Sequence, residues 1–132
     1  MERIKVIIDW DENYGAASSD VSGCVATGKT VESVKEAYAS ALAFHLEGLR
    51  EHEYDIPDKL KGEYTLTFEL SVQSLLHQLD GIITRAALAR ATGINERQLG
   101  HYMTGHRTPR TEQRKKIVEG IHRIGNEFIK VV

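Results

Sequence analysis

Apolar and polar residues first alternate along this chain. In residues 3–10, Ile4, Val6, Ile8 and Trp10 fall on one side of an extended backbone, and Arg3, Lys5 and Asp9 on the other. A period of two is the signature of a half-buried strand. Asp11, Asn13 and Gly15 supply turn chemistry. Residues 14–18 read as a second strand, the polar run 19–23 as another turn, and residues 24–27 as a short third strand closed by Gly28. Thr30 is placed to cap a helix, with Glu32 in its first turn. Val34, Ala37, Tyr38, Ala41, Leu42, His45 and Leu49 then recur at helical spacing, which predicts about five amphipathic turns ending near Arg50. Tyr38 and Phe44 are expected in its core, and Cys24 as a small buried side chain. Residues 52–62 read as a loop, with Pro57 excluding continued helix. Residues 63–70 alternate again, with Tyr64, Leu66, Phe68 and Leu70 on one face.

After Ser71 the period changes from 2 to 3.6. Val72, Leu75, Leu76 and Leu79 form one stripe, residues 84–92 and 95–103 two short helices, and Ile117, Ile121, Ile124 and Phe128 a last one. The expected organisation is an α+β domain over residues 1–70, a small three- or four-stranded, antiparallel-rich sheet with one helix. An all-α domain over residues 71–132 follows with almost no linker.

The two short helices meet the demands of a helix-turn-helix. Ala89 is small enough for a close crossing, and four residues later Gly93 accepts a left-handed turn. Leu88, Ile94, Leu99 and Tyr102 can hold one helix on the other. Asn95 is placed as N-cap of the second helix, with Gln98 as a capping-box partner. That helix would present Glu96, Arg97, Gly100, His101 and Thr104 to the DNA major groove. Arg97 suits the O6/N7 edge of guanine, and Gly100 would let the helix sit deep. Arg107 is placed for a phosphate, with Arg110, Arg114 and Lys115 extending that contact. The A-x3-G-x5-L spacing of Ala89, Gly93 and Leu99, and the Y-x-x-G-x-R-x-P run from Tyr102 to Pro109, resemble the Cro/phage-repressor family of five-helix DNA-binding domains. The likeness covers residues 71–128, and Gly100 and His101 depart from the long polar residues usual there.

Charge sharpens this division. Residues 1–62 hold twelve acids and seven bases, a balance of −5, whereas residues 82–116 hold eight bases against Glu96 and Glu112, a balance of +6. A basic segment suits a polyanion, and an acidic one suits a basic protein or solubility. The lone Cys24 excludes an internal disulfide. No run approaches the ~20 apolar residues of a membrane span. The short apolar run at the start is not a signal peptide, so a cytoplasmic protein is expected.

Gly23-Cys24-Val25-Ala26-Thr27-Gly28-Lys29-Thr30 fits the phosphate-cradling pattern G-x-x-x-x-G-K-T letter for letter. Its surroundings argue against nucleotide binding. The preceding residues 18–22 are polar where a buried strand is needed, residues 24–27 read as a strand instead of an open loop, and residues 1–70 are too few for a parallel nucleotide-binding sheet. The same residues belong to a longer run, D-x-x-G-C-x-x-x-G-x-T, from Asp20 to Thr30. With Gly15 and the following long helix, it resembles the HicB antitoxin family, over about residues 5–69. Ser22 stands where that family often has proline. The resemblance implies a reduced ribonuclease-H-like layer without nuclease activity, which binds a small basic mRNA-cleaving HicA-type toxin. An appended DNA-binding domain would repress the protein's own operon.

Other constellations are weaker. Asp9, Asp11 and Glu12 sit at the end of the first strand, and only Asp20 and Glu69 could complete a Mg²⁺ site for RNA cleavage. With Asp20 they are instead candidate acidic contacts to the toxin, or solvated turn residues. His45 reads as a core or interface histidine. His101 and His106 have no cysteine beside them, so neither zinc nor any cofactor is expected. One short recognition helix binds weakly, so a homodimer or higher homo-oligomer is expected to read two half-sites one DNA turn apart. Ile121, Ile124, Phe128 and Val131 are its candidate surface, with the sheet edge as alternative. A rival function is a repressor whose α+β domain senses a small molecule.

Overall fold

The computed structural model describes residues 1–132, which form an α+β fold with a four-stranded mixed sheet and five α-helices. They divide into two compact units, Met1–Ser74 and Leu75–Val132.

In the first unit the strands are β1 (Glu2–Asp11), β2 (Asn13–Ser18), β3 (Val21–Gly28) and β4 (Tyr64–Leu70), with helix α1 (Val31–Glu51) between β3 and β4. The sheet order is β3-β2-β1-β4. β1 is antiparallel to β2, with Ile8 opposite Ala16, and parallel to β4, with Ile4 opposite Leu66 and Val6 opposite Phe68. The alternation in β1 is decisive: Ile4, Val6 and Ile8 are wholly buried while Arg3, Lys5 and Asp9 are exposed. They share one core with Val34, Tyr38, Leu42 and Leu46 of α1. The Tyr38 hydroxyl is buried without a conventional hydrogen bond. It faces the buried Cys24, and burial foremost pushes its pKa up to about 12.

Phe44 departs from expectation. It is 78% exposed, and Leu46 takes the core place instead. Val34, Tyr38, Leu42 and Leu46 repeat every four residues. Two residues past Leu42 lies about 200° around the helix, on the far side. β3 is also longer than expected, because Val21 pairs with Ser18 beyond a register shift between Ala17 and Ser18.

The start of α1 explains the phosphate-loop lookalike. Thr30 Oγ1 accepts from Ser33 N (3.0 Å), and Ser33 Oγ accepts from Thr30 N (3.1 Å), a complete capping box. Gly28 brings β3 hard against this turn: a Cβ there would stand 2.6 Å from Ser33 Oγ and 2.7 Å from Val34 N. The glycine and the threonine are therefore needed to join a strand to a helix. The four positions between the two glycines lie in β3.

The second unit holds most of α2 (Val72–Leu79), with α3 (Arg85–Thr92), α4 (Glu96–Met103) and α5 (Thr111–Ile129). The unit division falls within α2 and not at Leu70/Ser71. Ser71 Oγ accepts from Ser74 N (3.1 Å) and caps the helix, while Ser74 Oγ donates to Ile8 O (2.8 Å). Those bonds hold the first turn of α2 to the end of β1. A change of hydrophobic period marks where strand gives way to helix, but it carries no information about such bonds.

Two substitutions test the reading of residues 23–30. Gly28→Ala should lower unfolding free energy by about 1–3 kcal/mol, because the obstructing atom at Val34 is backbone and cannot swing away. Lys29→Ala should stay within about 0.5 kcal/mol. Urea unfolding measures both, and equal losses would contradict the assignment.

Candidate nucleic-acid interface

Gly93 ends α3 in the left-handed region (φ 75°) and donates its N–H to Ala89 O (2.9 Å). A side chain at this φ would be strained. The turn is further fixed by Thr92, whose hydroxyl donates to Leu88 O (2.7 Å) and accepts from Ile94 N (3.2 Å). Thr84 Oγ1 accepts from Ala87 N (3.0 Å) at the start of α3, and Asn95 Oδ1 accepts from Gln98 N (2.8 Å) at the start of α4. Leu88, Ile94, Leu99 and Tyr102 are buried between the helices, as their spacing predicts. The expected capping box is only half formed. Gln98 Nε2 donates to Tyr102 Oη (3.0 Å) and does not reach back to Asn95.

α5 holds this pair in place. Ile117 is wholly buried, and Gly120 lies where a Cβ would stand 2.6 Å from Thr92 Cγ2. Arg123 donates to Ala91 O at the end of α3, and Gln113 Nε2 donates to Tyr102 Oη (3.3 Å). After α4, Gly105 (φ 79°) lets Arg107 N return to His101 O (3.1 Å). The loop therefore folds back beside α4 and carries His106 and Arg107 with it.

The result is a cationic cleft of about 500 Å³, lined by Asn95, Arg97, His101 and Arg107, with Gln113 and Lys116 from α5. A second groove holds Arg107 and Arg110. Asn95, Glu96, Arg97, Thr104, Arg107 and Arg110 are exposed, and His101 is half-buried. Gly100, expected to let α4 sit deep in a groove, is buried. Its missing side chain leaves room for the Arg85 guanidinium, which a Cβ would strike. Lys116 and Gln113 were not singled out in the sequence. Their three-residue spacing puts them on one helical face, but only the packing of Ile117 fixes which neighbour that face meets.

His101 and His106 stack obliquely with ring centroids 4.8 Å apart. Desolvation, then His106, Arg97 and Arg107, hold the His101 pKa below 6.5. This face thus concentrates positive charge, with Glu96 the one acid in the first turn of α4.

The acidic residues of the first unit do not form one site. Asp9 Oδ1 accepts from Ser71 Oγ (2.6 Å) and Trp10 N (2.9 Å). Asp11 and Glu12 are exposed at the β1–β2 turn. Asp20 accepts from Lys59 Nζ (3.3 Å) and Lys5 N (3.4 Å), which joins the β2–β3 turn to β1. Lys5 is four residues from Asp9, about 13 Å along the strand. No three His, Cys, Asp or Glu side chains are grouped to hold a metal ion. His45 is half-buried beside Gly23.

Among known proteins, the chain matches no protein-family model and no curated protein.

Gly100→Ala should be neutral or stabilising by up to about 1 kcal/mol, because only the flexible tip of Arg85 must move and alanine favours helix. Thermal unfolding checks the sign. In an NMR titration His101 should protonate below pH 6.5, and His106→Gln should move its midpoint upward. Because the folded midpoint is depressed, the unfolded chain takes this proton first. Stability from this residue therefore falls as pH drops through the ordinary histidine range.

Proposed function

We infer that this protein is an antitoxin-repressor of the HicB type, with a helix-turn-helix of the Cro/repressor kind. The observation that carries this reading is the division of charge between two compact units. Met1–Ser74 holds fourteen acids and seven bases, and Leu75–Val132 five acids and ten bases. One unit suits a basic protein and the other a polyanion.

On the DNA side, α4 is the recognition helix. Arg97 and His101 reach base edges, while Arg107, Arg110 and Lys116 hold phosphates. The left-handed turn at Gly93 and the open cationic face support this role. The four helices α2–α5 are one fewer than in the five-helix family that the sequence resembles. On the protein side, the order β3-β2-β1-β4, with α1 crossing to a parallel β4, supports a reduced ribonuclease-H-like layer. That layer neutralises a small basic mRNA-cleaving toxin by binding it, without catalysis of its own. Asp9 and Asp20 serve the fold through Ser71 and Lys59, which favours this over a nuclease.

A homodimer completes the reading. The end of α5 leaves Phe128 61% and Val131 79% exposed, an apolar tip that a second copy would cover. Ile121 and Ile124 are already half-buried and contribute less. The protein acts in the cytoplasm, and no helix is long and apolar enough to cross a membrane.

Binding to DNA from upstream of its own gene should separate two kinds of contact. Arg97→Ala should cost about 1–3 kcal/mol on operator DNA and little on random DNA. Arg107→Ala should weaken both alike and reduce the salt slope by about one. Wild-type binding by both variants would overturn the interface. Co-expression with the adjacent gene should rescue growth and co-purify a small basic protein. The lack of such a gene product would overturn the antitoxin half.

A further inference from the structure

Between α1 and β3 lies an open groove of about 380 Å³ whose lining includes Val25, Phe44, His45, Gly48 and Tyr54. Three of these are large hydrophobic residues standing in solvent: Val25 is 71% exposed, Phe44 78% and Tyr54 64%. Burying side chains of this kind would release apolar surface from water, and their cluster has no such use within the unit. Small residues leave the groove open. Nothing stands within 4 Å of the place a Cβ of Gly48 would take, and a Cβ on Gly23 would first meet His45 Cε1, at 3.8 Å. β3 pairs only with β2, so its outer edge has no strand beside it.

The rim selects the occupant. Residues 44–55 carry Glu47, Glu51, Glu53 and Asp55 against Arg50 alone. All four acids are exposed. Glu47 and Glu51 are three and seven residues past Phe44, so they share its helical face. Arg50 is six residues past and points elsewhere. An apolar groove with four exposed carboxylates on the segment that supplies Phe44 and Tyr54 matches a basic polypeptide that presents an apolar anchor among lysines or arginines. A second copy of the same acidic face would meet it with like charge.

We propose that the α1–β3 groove is the docking surface for a basic protein, with Phe44 as its central anchor and Glu47 and Glu51 steering the approach. This rests on the antitoxin reading and gives the toxin its place. Phe44 falls out of phase with the core of α1 because it serves an interface.

The test titrates the purified small basic protein encoded beside this gene into full-length wild type and variants by calorimetry, with DNA binding measured in parallel. Phe44→Ser should weaken binding about tenfold or more, as loss of a central aromatic anchor does. The double variant Glu47→Lys, Glu51→Lys should weaken it about tenfold at low salt and less at high salt, because exposed charges are screened. Asp11→Asn should bind within about twofold of wild type, and none of the variants should change operator affinity. Tight wild-type binding with no loss in either groove variant would overturn the groove and leave the antitoxin reading standing. No binding by wild type would overturn both. A change in oligomer size on Phe44→Ser, with binding of the basic protein intact, would make the occupant a second copy and overturn the proposal.

Discussion

The apolar row of β1 is the constraint on which the first unit depends. Ile4, Val6 and Ile8 are wholly buried, and β1 is the only strand paired to both an antiparallel and a parallel neighbour. A shift of one residue would turn the whole row to solvent, so the pairing register of the sheet is fixed by burial. The same row sets the face of α1. Val34, Tyr38, Leu42 and Leu46 must meet it, which fixes what the remaining residues of that helix present outward. Phe44 and the carboxylates beside it are exposed as a consequence of that choice.

Close backbone approach does comparable work at the joints. Gly28 lets β3 run directly into the capped first turn of α1, and Gly120 lets α5 lie on the end of α3. Gly100 looks similar in sequence but meets only the tip of an arginine. The nature of the obstructing atom, backbone or flexible side chain, separates a structural glycine from a tolerant one. The eight residues that spell a nucleotide-binding loop show the same point. Their letters match, but the backbone of the first six is strand, and the threonine hydroxyl is used as a helix cap.

The two units divide the charge, and each spends it differently. In Leu75–Val132 the positive side chains converge because the loop after α4 folds back on His101 and brings Arg107 beside Arg97. Desolvation first, and this crowding after it, hold His101 below its ordinary pKa. In Met1–Ser74 part of the negative charge serves the fold: Asp9 and Asp20 bind Ser71 and Lys59. Glu47, Glu51, Glu53 and Asp55, along and just after α1, stand exposed, as do Asp11 and Glu12 at the β1–β2 turn.

Much of this was legible in the sequence by itself. The period of two in β1 and β4, the period of 3.6 in the helices, and the caps Thr30 and Asn95 are local properties. Neighbouring residues decide them through backbone geometry, so order in the chain suffices. The left-handed turn at Gly93 and the burial of Leu88, Ile94, Leu99 and Tyr102 follow in the same way. Tertiary structure alone decided which polar groups were already taken. Asp20 is held by residues 15 and 39 positions away, Gly100 is covered by Arg85, and Gln98 turns to Tyr102. It also decided that Phe44 faces water, because a helical stripe has an inside only once a sheet is laid against it. Contacts between distant residues depend on which faces the fold brings together, and one-dimensional spacing does not contain that information.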